Sequence, residues 1–253
     1  MRLVRFVAGA IVLVLLSPSG QAAPRVEERS ANGEARMRYF LMNSRAEDAA
    51  APAAGYKLLL VLPGGGGGAD FRPFVERIAA NALPSDEYLL AQLVAPVWSE
   101  EQSRNLVWPT AANLPQEAEF TTESFIDTVI DDIRGDYPLD ENHIFTLSWS
   151  SSGPAGYSAS LREDTPITGS FVAMSVFKPD QLPPLDRADG QHYYILHSPQ
   201  DFIGMRFPEA ARDDLAAHGA TTTLMTYEGG HGWKGDVYGM IRRGVEWLDE
   251  RVH

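Results

Sequence analysis

Three residues on separate stretches of the chain have the side chains that nucleophilic catalysis requires. Ser150 follows an apolar stretch, Asp201 lies in a Pro-Gln-Asp segment, and His231 lies between glycines. A serine hydroxyl is a weak nucleophile at neutral pH, so it needs a base within hydrogen-bonding distance, and the base needs an acid that orients it. These residue types therefore predict acyl transfer, provided that the fold brings the three side chains together.

Steric arguments identify Ser150 as the candidate nucleophile within the serine-rich run 148–152. A sharp strand-to-helix turn strains the nucleophile's backbone and crowds the residues two before and two after it, so both must be small. Ser150 has serine at both positions, whereas Ser151 would place Trp149 at one of them, and Ser148 would cut the strand short. A polar turn without catalytic function is the alternative. We expect the hydroxyls of the other serines to be dispensable for activity, because those positions require only a small side chain or a backbone group.

The candidate base and acid are those whose order along the chain, acid and then histidine after the serine, matches the family resemblance given below. His231 is the predicted base, since it lies late in the sequence on a glycine-flanked loop. The other five histidines begin predicted strands, end a helix, precede the acid or lie at the terminus (His143, His192, His218, His197, His253). Asp201 leaves a predicted strand and is the expected acid, and Asp180, which leaves the preceding strand, is the alternative.

A run of five glycines, residues 64–68, lies between a buried strand and a predicted helix. Exposed backbone N–H groups at such a junction can bind an oxyanion. A flexible linker is the alternative interpretation, because glycine is costly in chain entropy. A phosphate-binding P-loop does not fit, since no Gly-Lys-Ser/Thr sequence closes the run.

The serine-rich turn resembles the nucleophile elbow of α/β-hydrolases, with Ser148 and Ser152 at the two positions where glycine is usual. With the glycine run and the order serine, aspartate, histidine, the resemblance extends over about residues 56–253. It is to small lidless serine esterases of that superfamily, in its polyhydroxybutyrate-depolymerase-like or dienelactone-hydrolase-like branches. It implies acyl transfer to water, with no metal or organic cofactor.

The resemblance also implies roles for individual residues. Ser150 would attack the carbonyl carbon, His231 would take its proton, and Asp201 would hold the imidazolium. The backbone N–H groups of Ser151 and Gly65 would stabilise the oxyanion, with Gly66 as the second choice for the glycine donor (candidate oxyanion residues Gly65, Gly66, Ser151). A peptidase or acyltransferase using the same triad, or a non-catalytic binding protein on the same fold, are the alternatives.

The elements that must position these residues alternate along the chain. Apolar runs predict strands at 36–43, 56–62, 88–97, 143–147, 167–177, 191–198 and 221–227. Helical spacing predicts helices from residue 70 and over 121–135, 207–218 and 237–252. Alternation of strand and helix predicts an α/β fold with a doubly wound, mainly parallel sheet and helices on both faces, in a single domain over residues 23–253. Residues 24–35 are polar and are predicted to be irregular.

The first 22 residues have the pattern of a signal peptide. Arg2 and Arg5 precede an apolar stretch, residues 6–16, which is too short to span a bilayer, and small residues precede a cleavage point after Ala22. We therefore expect export to the periplasm or the medium, without stable membrane insertion after cleavage. The net charge of −13 argues against a nucleic-acid partner, and the absence of cysteine excludes disulfides.

Aromatic residues near the predicted loops are candidates for substrate contact, namely Trp149, Trp108, Phe202 and Trp233, and packing of the tryptophans in the core is the alternative. The long loop 98–120 and the loop around Phe202 are expected to border the site. Residues 178–190, where related lipases often carry a lid, are short and lack a helical pattern. The expected substrate is therefore a small-molecule or polymer-linked ester that reaches an open site.

Overall fold

Eight strands build one sheet in the computed structural model, which describes residues 24–46 and 49–252. Their order across the sheet is β1-β2-β4-β3-β5-β6-β7-β8. The pairs β1–β2 and β2–β4 are antiparallel, and the other neighbouring pairs are parallel. The strands are β1 (Arg25–Ser30), β2 (Arg38–Asn43), β3 (Tyr56–Leu62), β4 (Tyr88–Leu93), β5 (Leu139–Trp149), β6 (Gly169–Ala173), β7 (His192–His197) and β8 (Thr221–Thr226). The predicted mainly parallel sheet is confirmed, and the predicted signal peptide lies outside the described residues.

Helices cover both faces of the sheet. In the described part of the chain they are α1 (Arg72–Asn81), α2 (Glu100–Asn105), α3 (Thr122–Asp136), α4 (Gly153–Ser160), α5 (Arg206–Ala217) and α6 (Val237–Asp249). Alternate residues of β3 separate the two cores: Leu59 and Val61 pack with α1 and α6, while Leu58 and Leu60 pack with α3. The α3 helix begins where predicted, with Thr121 as its N-cap. The helix predicted over 121–135 ends one residue later than expected, since Gly135 lies inside α3.

Two elements differ from the sequence-based expectation. Residues 25–30, predicted to be irregular, form the edge strand β1, which pairs with β2 and is held partly by the Arg38–Glu28 ion pair at 2.6 Å. An edge strand needs few apolar residues, so its sequence lacks an alternating pattern. The loop 98–120 contains the short helix α2, whose first turn is capped by the Ser99 hydroxyl.

The sheet order places the candidate residues at one edge. The chain steps from β3 to β4 on one side and then returns to β5 on the other, so β3 pairs with both strands and Leu62 lies beside Ser148. In parallel sheets a crevice forms at the carboxyl ends of strands where the order reverses in this way. The glycine run therefore meets the serine-rich turn, and Asp201 and His231 leave β7 and β8 at the same edge.

A polar cluster joins the opposite edge of the sheet to α6. The Asp249 carboxylate accepts hydrogen bonds from Lys57 Nζ at 2.7 and 2.9 Å and from the Tyr88 hydroxyl at 2.8 Å. Burial, reinforced by the charge of Asp249, raises the pKa of Tyr88, so the phenol remains a donor. One carboxylate thus connects β3, β4 and the last helix.

The Asp249→Ala substitution is expected to lower the free energy of unfolding by about 1–3 kcal/mol, because it leaves Lys57 and Tyr88 without their acceptor. For a domain of this size, that corresponds to a fall in Tm of roughly 2–12 °C, measurable by circular dichroism. Asp213→Ala is the control, since Asp213 is exposed and its one ion pair within the described part of the chain is with its neighbour Arg212. Equal melting curves for both variants would contradict the structural role of Asp249.

Candidate active site

Ser150 occupies a strained turn between β5 and α4. Its φ of +58° lies in the left-handed region, which costs a non-glycine residue of the order of 1–3 kcal/mol unless its surroundings hold it. One contact that holds this turn comes from the Ser175 hydroxyl, which donates to the Ser150 carbonyl oxygen at 2.6 Å. The strand therefore ends abruptly at Trp149, and a short 3₁₀ turn leads into α4.

The small flanking residues are buried, as the steric argument requires. A Cβ atom on Gly156 of α4 would collide with the Ser148 side chain. The Ser152 hydroxyl accepts a hydrogen bond from the Trp149 N–H at 2.9 Å and donates to the Leu62 carbonyl oxygen at 2.6 Å. The expectation that Ser152 supplies only size is therefore wrong, because its hydroxyl joins the ends of β3 and β5.

The structure brings Ser150, His231 and Asp201 together in a chain of hydrogen bonds. Ser150 Oγ lies 3.0 Å from His231 Nε2, and His231 Nδ1 lies 2.8 Å and 3.0 Å from the two oxygens of Asp201. The Asp201 side chain is fully buried and accepts a further bond from the Ile203 N–H at 2.8 Å. Asp180, the alternative acid, is exposed and forms no bond to His231. The arrangement can carry a proton from the serine hydroxyl to the imidazole.

Side chains that the sequence analysis did not identify connect the loop of Asp201, after β7, to the loop of His231, after β8. The Gly230 N–H donates to Ser198 Oγ at 3.0 Å, and the Gly229 N–H donates to Gln200 Oε1 at 3.2 Å. Gln200 Nε2 also donates to Glu228 Oε2 at 2.6 Å. In the sequence, the only indication of these contacts is that polar residues precede Asp201 and His231 on loops predicted at the same edge of the sheet.

Tyr227, immediately after β8, forms hydrogen bonds that hold the loop of His231. Its hydroxyl lies 2.8 Å from the Gly230 carbonyl oxygen and 2.9 Å from that of Gly232, on either side of His231. Burial, followed by the negative charge of Asp201, raises the pKa of Tyr227 to about 12, so the phenol is protonated at neutral pH and can donate. The Gly232 N–H donates to Met174 Sδ at 3.2 Å, which fixes the loop at a second point.

The glycine run forms a tight turn beside Ser151. A Cβ atom on Gly64 would lie 2.5 Å from the Trp149 carbonyl oxygen, so glycine is required for this close approach. Gly65 has a φ of +58°, and its carbonyl oxygen accepts a hydrogen bond from the Ser151 hydroxyl at 2.8 Å. Within the described residues, the Gly65 N–H donates to no protein acceptor. The N–H group of Gly65 is thus available next to the serine turn.

A cavity of about 400 Å³ contains both Ser150 and Gly65. One wall of the cavity is formed by α2 and the residues that follow it, in the loop that was expected to border the site. The apolar side chains of this wall are Leu106, Val107 and Trp108. Gly66, the second candidate donor, borders a different cavity together with Arg38 and Val94. The structure therefore distinguishes the two glycines by the cavity each faces.

The aromatic predictions have mixed outcomes. The prediction for Trp149 is wrong: its indole is 4 % exposed and packs edge-to-face against Phe71 and Phe74 in the core. Trp108 is also buried, with its indole N–H bonded to the Pro63 carbonyl oxygen at 2.9 Å, yet its ring forms part of the Ser150 cavity. Phe202 is 81 % exposed, and its ring centroid lies 4.5 Å from that of His231.

Trp233 lies in a second cavity of about 470 Å³ with Phe71, Phe74 and Tyr238. This cavity includes none of the three hydrogen-bonded residues. Its Trp233 indole is half-buried and packs against the core, so the structure does not place Trp233 at the serine.

Within residues 24–46 and 49–252, no group of three or more His, Cys, Asp or Glu side chains is arranged to hold a metal ion. In the same residues, none of the helices combines the length and the apolar character that crossing a bilayer demands.

Comparison with known proteins gives structural matches only. No family model and no curated protein matches the sequence. The structure is similar to MGS-M1, an α/β-hydrolase from a Medee basin deep-sea metagenome library, with a TM-score of 0.64, 12 % identity, and coverage of 90 % of this chain and 98 % of that one.

Two other similar structures are esterases. A thermostable esterase from Pseudomonas putida ECU1011 has a TM-score of 0.65 and 12 % identity over 92 % of this chain and 85 % of that one. Thermogutta terrifontis esterase 2, phosphoramylated by tabun, has a TM-score of 0.62 and 16 % identity over 92 % and 96 % of the two chains. At these identities the similarity concerns the fold. Together with the sheet order and the serine turn, it establishes that this chain has the α/β-hydrolase fold.

Proposed function

We propose that the protein is a serine hydrolase that cleaves carboxylic esters through an acyl-enzyme. The observation that carries the proposal is the hydrogen-bonded chain Ser150–His231–Asp201 beside the available N–H group of Gly65. The fold alone is compatible with many reactions, so the argument depends on this site. The esterase names of the structural neighbours point in the same direction.

The proposed mechanism follows from the distances. With its proton on Nδ1 toward Asp201, His231 presents Nε2 to the Ser150 hydroxyl and takes its proton as Oγ attacks the ester carbonyl carbon. The N–H groups of Gly65 and Ser151 bind the oxyanion of the tetrahedral intermediate. The imidazolium then protonates the leaving alcohol. Water, activated by the same imidazole, releases the acid from the serine.

The proposal is tested by a fluorophosphonate probe and a simple ester. We expect stoichiometric labelling of Ser150, located by peptide mass spectrometry, and hydrolysis of 4-nitrophenyl acetate that the label abolishes. The tabun adduct of the Thermogutta esterase shows that a protein of this fold takes such a phosphorus reagent. An unlabelled protein without esterase activity would contradict the proposal and favour a binding protein. Labelling together with cleavage of peptides alone would favour a peptidase.

Tyr227→Phe is expected to lower kcat by about 10-fold with less than a 2-fold change in KM. The substitution removes the donor that holds both carbonyl groups beside His231, and small displacements of a catalytic group are costly. Steady-state kinetics with 4-nitrophenyl acetate measure the effect. Tyr137→Phe is the control, because its hydroxyl is remote from the site. Unchanged kcat in the Tyr227 variant would show that the loop holds its geometry without this phenol.

We also propose that the protein is exported. The support is the pattern of Arg2 and Arg5, the apolar stretch 6–16 and the small residues up to Ala22. Mass spectrometry of the protein from its native host should find an N-terminus at Ala23 or Pro24. A chain that retains Met1 would contradict export by a cleaved signal.

A further inference from the structure

The cavity that contains Ser150 has positive charge on its wall and no negative charge. Its polar side chains, apart from the serines, are three carboxamides and two cations (Asn105, Asn113, Gln181, Arg104, Lys178). None of the Asp or Glu residues that the structure describes borders it. The chain as a whole contains 34 Asp and Glu against 21 Lys and Arg, so this wall is opposite in charge to the rest of the protein.

Both cations have capacity for a ligand. Lys178 is exposed, and its ammonium forms no ion pair or hydrogen bond with any described residue. Among the described residues, Arg104 pairs only with Glu100, one turn earlier on α2, at 3.0 Å, with side chains that are 75 % and 87 % exposed. Exposed pairs of this kind are weak, and a guanidinium has five N–H donors, so most of them are available to a substrate.

The two cations approach Ser150 from independent segments. Lys178 follows the carboxyl end of β6, and Arg104 lies in the last turn of α2. The acid nearest to Lys178 in sequence, Asp180, is exposed and does not border the cavity. The positive charge therefore faces the candidate site without an acidic neighbour on the wall.

We propose that this cavity selects esters that carry a carboxylate, bound by Lys178 and Arg104 while the ester carbonyl lies at Ser150. Charge-assisted hydrogen bonds from ammonium and guanidinium groups are the strong kind, and carboxamide donors on the same wall can add to them. The inference rests on the proposed ester hydrolysis and names the class of its substrate. The carboxylate can belong to the acyl part or to the alcohol part of the ester.

Matched pairs of esters distinguish the two positions. For the acyl part, monomethyl glutarate is compared with methyl pentanoate in a pH-stat. For the alcohol part, 4-acetoxybenzoate is compared with phenyl acetate by absorbance. We expect kcat/KM to favour the anionic ester by about 10-fold or more in one of the two pairs. A ratio at or below one in both pairs would overturn the proposal.

Charge variants test whether these two cations cause the preference. Lys178→Gln and Arg104→Gln should each lower the anionic-to-neutral ratio several-fold, and Lys178→Glu should invert it. Arg187→Gln is the matched control, because it removes an exposed cation, paired with Glu163 at 3.3 Å, outside the cavity. A preference that survives the Lys178 and Arg104 variants unchanged would overturn the assignment.

The outcome also separates this inference from the proposed function. Hydrolysis of the neutral esters without an anionic preference contradicts only the substrate class. Failure to hydrolyse any of the four esters, together with an absence of fluorophosphonate labelling, contradicts the proposed function itself.

Discussion

Ser150→Ala is expected to lower kcat by roughly 10⁶-fold, because the triad acts as a unit and loses its nucleophile. The methyl group keeps the size of the side chain at the turn, and the Ser175 contact to the Ser150 carbonyl oxygen involves the backbone, so the turn should persist. Hydrolysis of 4-nitrophenyl acetate measures the loss, and circular dichroism checks the fold. The variant should also fail to react with the fluorophosphonate probe.

Ser151→Ala is the matched control for this experiment. The Ser151 hydroxyl donates to the Gly65 carbonyl oxygen and does not contact His231, so its removal should leave the nucleophile intact. We expect a loss of about 10-fold or less, through a looser glycine turn. If Ser151→Ala were the inactive variant and Ser150→Ala retained activity, the assignment of the nucleophile would be wrong.

Asp201→Asn is expected to lower kcat by about 10⁴-fold. In the present structure Asp201 Oδ1 accepts the Ile203 N–H at 2.8 Å, so the amide oxygen of the asparagine will occupy that position. The amide NH₂ then faces His231 Nδ1, which must become an acceptor. The imidazole proton moves to Nε2, where it points at the Ser150 hydroxyl, and the ring can no longer act as a base.

Two further variants make this result specific to Asp201. Asp180→Asn changes the alternative acid, which is exposed and not bonded to His231, so kcat should stay within a factor of two. The double variant of Ser150→Ala with Asp201→Asn should be no slower than Ser150→Ala alone, because the acid acts only through the base. Additive losses in the double variant would mean that Asp201 affects activity by another route, such as loop stability.

The sequence patterns that predicted structural elements correctly are local ones. The run 56–62 is apolar because β3 is covered on both faces, and the capped apolar repeat of α3 spans residues only three or four apart. The edge strand β1 escaped detection because its side chains are mostly exposed and its pairing partner, β2, follows only after a turn. The alternating pattern of residues 36–43 is typical of a half-buried strand, but β2 is buried on both faces, since helices cover each side of the sheet.

The error at Trp149 has a physical cause that the sequence contained. Successive side chains of a strand point to opposite faces, so Trp149 shares a face with Phe145 and Leu147 and belongs with them to the core cluster that includes residues of α1 and α6. Its position next to the candidate nucleophile suggested substrate contact. The pleat of β5 instead directs the indole into the core, while the strained turn begins one residue later.

The sequence by itself determined the α/β class, the strand order along the chain and the identity of the candidate nucleophile, because each depends on residues within one turn or one strand. Only the tertiary structure decided which side chains hold Asp201 and His231. It also decided that Gly65 rather than Gly66 faces the Ser150 cavity, and that cations from two segments share its wall. These contacts join residues tens of positions apart, as in the 81-residue separation of Ser150 and His231. No local pattern encodes them, since they arise from the order in which the strands assemble and the loops meet at one edge of the sheet.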